Sequence, residues 1–241
     1  MKAPILSVRN INKHFGGSAA VVDVSFDVQA GAFLGLMGPN GAGKSTLLNI
    51  ISGAYRPDSG VVLFQGHDIT GLTPHKICHL GIGRTFQIPQ PFINMTVLQN
   101  VMVVAEYGRR LGKAAAEGEA LRILDLAGLS EKKEMFARDL AAISLKRLEL
   151  ARALASKPTL LLLDEVAAGL TEEEIPRMLE ILQQVRAMGI TCILIEHIMR
   201  IMTQAVDRIM VLEEGMRIAE GAPHEVMADK KVIEAYLGEA V

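Results

Sequence analysis

The chain has 241 residues, half of them hydrophobic, which is enough apolar sequence to bury a large core and excludes a disordered chain. Its formal net charge of -2 provides no general basic surface, so we expect no nucleic-acid partner. The two cysteines, Cys78 and Cys192, are far apart in sequence, which excludes a disulfide scaffold and favours a cytoplasmic protein, and no run approaches the roughly 18 apolar residues of a membrane span.

The N-terminal part of the chain carries strand patterns on both sides of a glycine-rich turn. Short β-branched stretches predict two strands, "ILSVRNI" and "AAVVDVSFDV", and a third strand, "FLGLM", leads directly into the turn. Helical spacing follows the turn in "KSTLLNIISGAY", and glycines bound a predicted hairpin strand in "SGVVLFQGHDI".

The second half of the chain changes from helical to alternating patterns. Residues 90–143 are charged and poor in strand patterns, so we interpret them as a helical subdomain within one domain spanning residues 1–241. Two buried strands follow, "TLLLLDE" and "ITCILIEH", with the amphipathic helix "TEEEIPRMLEILQQVRAMG" between them. Thr171 and Glu174 have capping-box spacing, while Pro176 favours a later helix start. Strands flanked by helices imply a parallel α/β sheet.

The strongest motif is a phosphate loop, "GPNGAGKST" at residues 38–46, which lies between a predicted strand and a predicted helix. Its glycines let backbone N–H groups curl around phosphates, Lys44 reaches the β and γ oxygens, and Ser45 ligates Mg²⁺. The alternative is a purely structural glycine-rich turn, which the lysine, the serine and the flanking elements disfavour. We expect the loop to bind a nucleoside triphosphate with Mg²⁺ through Gly38, Pro39, Asn40, Gly41, Ala42, Gly43, Lys44, Ser45 and Thr46.

Two acidic residues end the strand "LLLLDE". Asp164 is placed to hold the Mg²⁺ shell, and Glu165 is placed to orient or deprotonate an attacking water. Alone, this pair is also compatible with a cap on the next turn; beside a phosphate loop it predicts hydrolysis. A guanine-reading Asn-Lys-x-Asp motif is not formed at residues 12–15, because "NKHF" ends in phenylalanine, so we expect ATP.

The motifs together resemble one protein family. The order and spacing of "GPNGAGKST", "RTFQ", "LKRLELARALASKPTLLLLDE" and "LIEH" are similar to those of ABC-transporter ATP-binding subunits over nearly the whole chain. Within this family, the chain looks most like the ATPase subunits of branched-chain amino-acid importers. Three further segments carry this resemblance: "GIGRTFQIPQPFINMTVLQNVMV", "AAGL" and "HEVMADKKVIEAYLGEA".

The resemblance implies a fold and a function. The fold is α/β, a phosphate-loop ATPase core with a parallel sheet, an N-terminal antiparallel β region and a helical subdomain. The function is ATP hydrolysis that energises an ABC importer, for branched-chain or related amino acids. The implied partners are transmembrane permease subunits, a second ATP-binding subunit in a homodimer or heterodimer and, indirectly, a solute-binding protein. The implied location is peripheral, on the cytoplasmic face of the cell membrane.

The resemblance also implies roles for single residues. Phe15 stacks on adenine, Gln87 touches Mg²⁺ or the attacking water, His197 contacts the γ-phosphate and Glu165 is the base. The competing interpretations are a core or hairpin aromatic for Phe15, a surface residue for Gln87 and a satisfied buried histidine for His197.

One segment departs from the family pattern. The family's Leu-Ser-Gly-Gly-Gln-like signature falls on "LAAIS", residues 140–144, where Ala141 replaces the serine and Ile143 a glycine. Ala141 lacks a hydroxyl and Ile143 adds a branched side chain, so we expect a weakened signature unless Ser144 or backbone N–H groups reach the phosphate. Thr171 also stands where the family usually has an acid or an amide, and Val166 stands where it frequently has a proline. Because the family pairs each phosphate loop with the other subunit's signature, the prediction is an asymmetric pair of sites.

Two other function classes remain open from sequence. One is a soluble ABC ATPase in nucleic-acid maintenance or translation, which the single phosphate loop, the short helical insertion and the lack of a coiled-coil arm disfavour. The other is a non-hydrolysing, ATP-dependent interaction module, which only an assay separates from the importer ATPase.

Overall fold

The computed structural model describes residues 3–109 and 111–237. Residue 110 of the predicted helical subdomain and the end of "HEVMADKKVIEAYLGEA" lie outside them. The strands are β1 (Leu6–Phe15), β2 (Ser18–Val28), β3 (Phe33–Met37), β4 (Ser59–Phe64), β5 (His67–Asp68), β6 (Ile82–Arg84), β7 (Leu160–Asp164), β8 (Thr191–Ile195), β9 (Arg208–Glu213) and β10 (Met216–Gly221). The helices are α1 (Lys44–Ile51), α2 (Pro74–Leu80), α3 (Val97–Arg109), α4 (Lys113–Leu126), α5 (Ala142–Ala155), α6 (Ile175–Ala187), α7 (Met199–Gln204), α8 (Pro223–Met227) and α9 (Lys230–Leu237).

The chain forms two compact units, residues 1–77 with 191–241, and residues 78–190. The first unit contains an antiparallel sheet in the order β2-β1-β4-β5. It also contains strands in the order β10-β9-β3-β8, where β3 is parallel to β8 and β9 and the edge strand β10 is antiparallel to β9. The predicted antiparallel N-terminal region and parallel core strands are therefore confirmed.

The second unit contains the parallel pair β6 and β7 together with the helices α3 to α6. All five residues of β7 are buried, as the apolar run "LLLL" predicts for a strand covered on both faces. The segment 90–143 holds α3, α4 and two short 3-10 turns at Ser130–Lys132 and Ala137–Asp139. Its status as a subdomain stays a prediction.

The start of helix α6 is later than the capping-box spacing indicated and agrees with the effect expected of Pro176. The pattern placed a helix over residues 171–189, whereas α6 begins at Ile175 with Pro176 in its first turn. The expected capping partner Glu174 accepts a hydrogen bond from the Thr171 backbone N–H at 2.9 Å, and this contact precedes the helix. The amphipathic pattern predicted a buried face of Ile175, Met178, Leu179, Leu182 and Val185; all five are buried, and Ile181 is buried with them.

Candidate functional site

The phosphate loop joins β3 to α1 in a backbone conformation that only glycine permits. Gly38 has φ +143° and Gly43 has φ +95°. A Cβ at Gly38 would lie 2.0 Å from the Leu212 carbonyl oxygen, and one at Gly43 would lie 2.2 Å from that of Ala20. A side chain at either position therefore collides with backbone, so the two motif glycines are required by packing as well as by torsion.

Lys44 is the first residue of α1 and is only 6% exposed. Its Nζ donates hydrogen bonds to the carbonyl oxygens of Gly38 at 2.7 Å and Pro39 at 2.8 Å. The ammonium is thus held across the loop, beside the first-turn N–H groups of α1, which a helix cannot pair internally. A buried cation and a helix N-terminus together form a site for a polyanion such as a triphosphate.

The other residues of the predicted loop differ in exposure. Ala42 and Gly43 are buried, Pro39 and Thr46 are half-buried, and Asn40, Gly41 and Ser45 are exposed. The Ser45 side chain, which carries a hydroxyl for Mg²⁺, is therefore accessible to a ligand. The role of each loop residue stays a prediction.

A contact that sequence reasoning missed fixes the first loop residue. The Gly38 N–H donates to the Tyr236 phenol oxygen at 2.7 Å, which ties helix α9 to the loop. Burial raises the pKa of Tyr236, and the Gly38 N–H opposes that rise. A tyrosine near the end of a chain gives no signal for such a partner, because the two residues are 198 positions apart.

Phe15 and His197 also lie in the first unit, and both are accessible. Phe15 ends β1, is 46% exposed, and meets the Tyr55 ring edge-on at a centroid distance of 5.2 Å. Lys13 Nζ lies 5.4 Å from the Phe15 ring centroid. An exposed aromatic face beside a cation suits a planar base, and the exposure of His197 suits contact with a phosphate.

The second unit brings Asp164, Glu165 and Gln87 together. Asp164 ends β7 and is 4% exposed; its N–H donates to Thr85 Oγ1 at 3.1 Å and its carboxylate lies 3.5 Å from Arg84 Nη2. Gln87 Nε2 donates to Glu165 Oε2 at 2.8 Å. The predicted base and the predicted water-contacting amide are therefore direct neighbours, which sequence order alone did not show.

Glu165 has a left-handed backbone, with φ +51°. This conformation is uncommon for a residue with a side chain and concentrates at functional sites, where the surrounding structure maintains it. It turns the chain sharply at the end of β7, so that Asp164 stays buried while Glu165 is half-buried.

The predicted Mg²⁺ ligands fit the chemistry of that ion. Ser45 of the first unit offers a hydroxyl, and Gln87 and Asp164 of the second unit offer an amide and a carboxylate; each is an oxygen donor of the kind that Mg²⁺ prefers. The buried carboxylate of Asp164 supplies the negative charge and lies at a strand end, as the sequence predicted.

The altered signature forms the N-terminus of α5. Ala141 is the N-cap residue and has only a methyl side chain, and both Ala141 and Ala142 are exposed. Ser144 is 2% exposed, and its Oγ accepts a hydrogen bond from Lys132 Nζ at 2.7 Å. Because its side chain is buried, this hydroxyl is not accessible to an external phosphate, whereas the first-turn backbone N–H groups of α5 have no acceptor within the helix.

Comparison with known proteins identifies the family. The family model for the ABC transporter matches residues 21–168, and the model for the branched-chain amino acid ATP-binding cassette transporter matches residues 217–241. The chain belongs to the ABC transporter family. Within it, the chain is 40% identical to a probable branched-chain amino acid transport ATP-binding protein of Archaeoglobus fulgidus, over 97% of this chain and 95% of that protein.

Further relatives extend the similarity over the whole cassette. A high-affinity branched-chain amino acid transport ATP-binding protein of Escherichia coli is 36% identical over 100% of both chains. The crystal structure of the ADP conformation of an ATP-binding cassette matches with a TM-score of 0.88 and 34% identity, covering 99% of this chain and 100% of that one. A dimeric post-hydrolysis cassette bound to ADP and Pi matches with a TM-score of 0.82 and 25% identity, covering 90% and 98%. The ABC fold predicted from sequence is confirmed, and these relatives support neither alternative function.

Proposed function

We propose that this ABC protein is the ATP-hydrolysing subunit of an importer for branched-chain or related amino acids. The observation that carries the proposal is the end-to-end match to branched-chain amino acid transport ATP-binding proteins, with the specialised family model on residues 217–241. A generic cassette is not expected to match a model specific to that transport class.

In this proposal the first unit binds the nucleotide. Phe15 stacks on adenine, residues 38–46 hold the phosphates, and His197 contacts the γ-phosphate. Lys44 supplies a positive charge from an already desolvated position, which strengthens its attraction to the phosphates. Ser45 is a ligand of Mg²⁺, which neutralises phosphate charge when bound.

The second unit supplies the groups for hydrolysis. Asp164 and Gln87 are further ligands for Mg²⁺, and Glu165 orients the attacking water and accepts its proton. The hydrogen bond from Gln87 holds one carboxylate oxygen of Glu165 in place. Because phosphoryl transfer depends mainly on position and charge, this fixed carboxylate is well suited to select one water.

We propose that the partners are transmembrane permease subunits, a second ATP-binding subunit and, indirectly, a solute-binding protein. Within the described residues 3–109 and 111–237, no helix is long and apolar enough to cross a membrane. We propose a peripheral location at the inner face of the membrane, reached through the permease, because the relatives are the ATP-binding proteins of transport systems.

A permease contact is proposed on exposed apolar residues on both sides of Gln87 in the sequence. We call it the coupling surface and define it by Phe86, Ile88, Phe92 and Ile93. Their exposed fractions are 47%, 75%, 45% and 56%. Single exposed apolar residues are ordinary, whereas four within eight residues mark an interaction surface. Its position next to Gln87 gives nucleotide state a short route to the partner.

The test is a charge placed on this surface. We expect Ile88→Lys to lower permease-stimulated ATPase activity roughly tenfold or more, because the ammonium resists burial in an apolar interface. Affinity for Mg-ATP should not change. The matched control is Met188→Lys, since Met188 is 40% exposed in the same unit and lies away from this segment in sequence. Intact stimulation in the Ile88 variant would place the permease contact elsewhere.

A further inference from the structure

Helix α5 connects the altered signature to the turn that carries Glu165. The helix begins beside Ala141, and Lys146 lies one turn further on. Its Nζ donates hydrogen bonds to the backbone carbonyl oxygens of Glu165 at 3.0 Å and Ala168 at 2.5 Å. A single ammonium therefore holds both ends of the four-residue turn after β7. Charge-assisted bonds of this kind are stronger than neutral ones.

Helix α5 also contacts the segment that follows Gln87. Arg152 Nη1 donates to the Gln90 carbonyl oxygen at 2.6 Å and to Glu149 Oε2 at 2.9 Å. Its guanidinium lies 5.1 Å from the Phe92 ring centroid. Lys146, Glu149 and Arg152 recur every third residue, so they follow one another along the helix surface. The two chain segments whose side chains meet in the Gln87–Glu165 hydrogen bond are thus both attached to α5.

The contact with the Glu165 carbonyl has a specific consequence for the acid. Glu165 occupies a left-handed conformation that its side chain disfavours, so its neighbours must maintain it. The orientation of the Glu165 peptide fixes the direction of the Cα–Cβ bond. Lys146 constrains the backbone end of the residue, while Gln87 constrains the carboxylate end.

From this geometry we infer that Lys146 is a positioning residue for Glu165. The inference rests on the proposed role of Glu165 as base. A shift of the Lys146 ammonium would move the Glu165 peptide with it, and so change the position of the carboxylate.

The experiment measures ATP hydrolysis by the complex with its permease and partner subunit. We expect Lys146→Met to lower kcat roughly tenfold with KM for ATP within about twofold, since a small misplacement of a catalytic group has a large effect on rate. Lys146→Arg keeps the charged donor and should recover most of the loss. Lys113→Met is the matched control, because Lys113 is exposed at the start of α4 in the same unit.

A double substitution separates positioning from general stabilisation. On a Glu165→Gln background, the Lys146→Met change should lower the residual single-turnover rate by less than about twofold, because the group it positions is already gone. A merely structural lysine would lower that rate by the same factor as in the wild type. If the methionine variant does not assemble, Lys146→Gln replaces it, with the same expected loss and the same double substitution.

The outcomes are distinct. A kcat for Lys146→Met within about twofold of wild type, or equal losses on both backgrounds, would overturn the positioning role while leaving Glu165 as the base. Normal turnover by Glu165→Gln alone would overturn the base assignment and the positioning role together.

Discussion

A Glu165→Gln variant is expected to bind Mg-ATP with an affinity within about twofold of wild type and to hydrolyse it roughly 100-fold more slowly or worse. The amide has the size of the carboxylate and neither attracts nor accepts a proton from the attacking water. Gln87 donates to Glu165 at 2.8 Å, and the amide oxygen of the variant offers a similar acceptor, so the local structure should persist. Calorimetry measures the affinity, and single-turnover hydrolysis in the assembled complex measures the rate.

Lys44→Ala is the contrasting control for that measurement. It removes the buried ammonium that lies across the phosphate loop, so nucleotide binding itself should weaken, by roughly tenfold or more. The two variants separate the two functions of the cassette, because Lys44→Ala is expected to lose nucleotide binding and Glu165→Gln is expected to lose hydrolysis. Equal turnover of Glu165→Gln and wild type would reject Glu165 as the base, and unchanged affinity of Lys44→Ala would reject the phosphate assignment.

The second large effect concerns the two ATP sites of the proposed transporter, each of which we expect to combine the phosphate loop of one subunit with the signature of the other. If the partner subunit has an intact signature, the nucleotide on this chain faces a competent signature, whereas the partner's nucleotide faces Ala141 and Ile143. We therefore expect the isolated chain to be a poor ATPase. In the heterodimer, Glu165→Gln should lower turnover roughly 100-fold, and the equivalent acid variant of the partner by less than about threefold.

Single-turnover rates of these two reciprocal variants test whether the two ATP sites are unequal. Equal losses would show that both sites are competent and would end the asymmetric model, with the first-turn N–H groups of α5 as sufficient donors. The structure favours unequal losses, because Ala141 cannot donate from its side chain and the Ser144 hydroxyl is buried, where its oxygen accepts a hydrogen bond from Lys132.

Much of the fold could be predicted from local patterns. The run "FLGLM" coincides with β3, and the predicted strand "TLLLLDE" contains β7. The single hairpin strand predicted over "SGVVLFQGHDI" is two short paired strands, β4 and β5. A buried strand requires a run of apolar residues and a tight turn favours glycine, so the sequences of these elements carry a clear local pattern. The helical pattern began at Thr171, four residues before α6, and the later start at Ile175 agrees with the effect expected of Pro176.

The tertiary contacts of the candidate site were the part that sequence did not reveal. The hydrogen bonds from Gly38 to Tyr236 and from Lys146 to Glu165 join residues that are distant in sequence. Neither contact has a pattern of its own, since a backbone N–H or carbonyl oxygen is present at almost every position. Strand β6 was also missed, because its three residues "IGR" are too few to show a period.

The most direct test of the proposed function is ATP-driven amino-acid uptake. Vesicles containing this chain, its partner ATP-binding subunit and the permease should accumulate labelled leucine when Mg-ATP and the solute-binding protein are supplied. Uptake should stop when this chain carries Glu165→Gln, while assembly and nucleotide binding persist. Undiminished uptake with that variant, or hydrolysis by the assembled complex without accumulation of any branched-chain amino acid, would contradict the proposal.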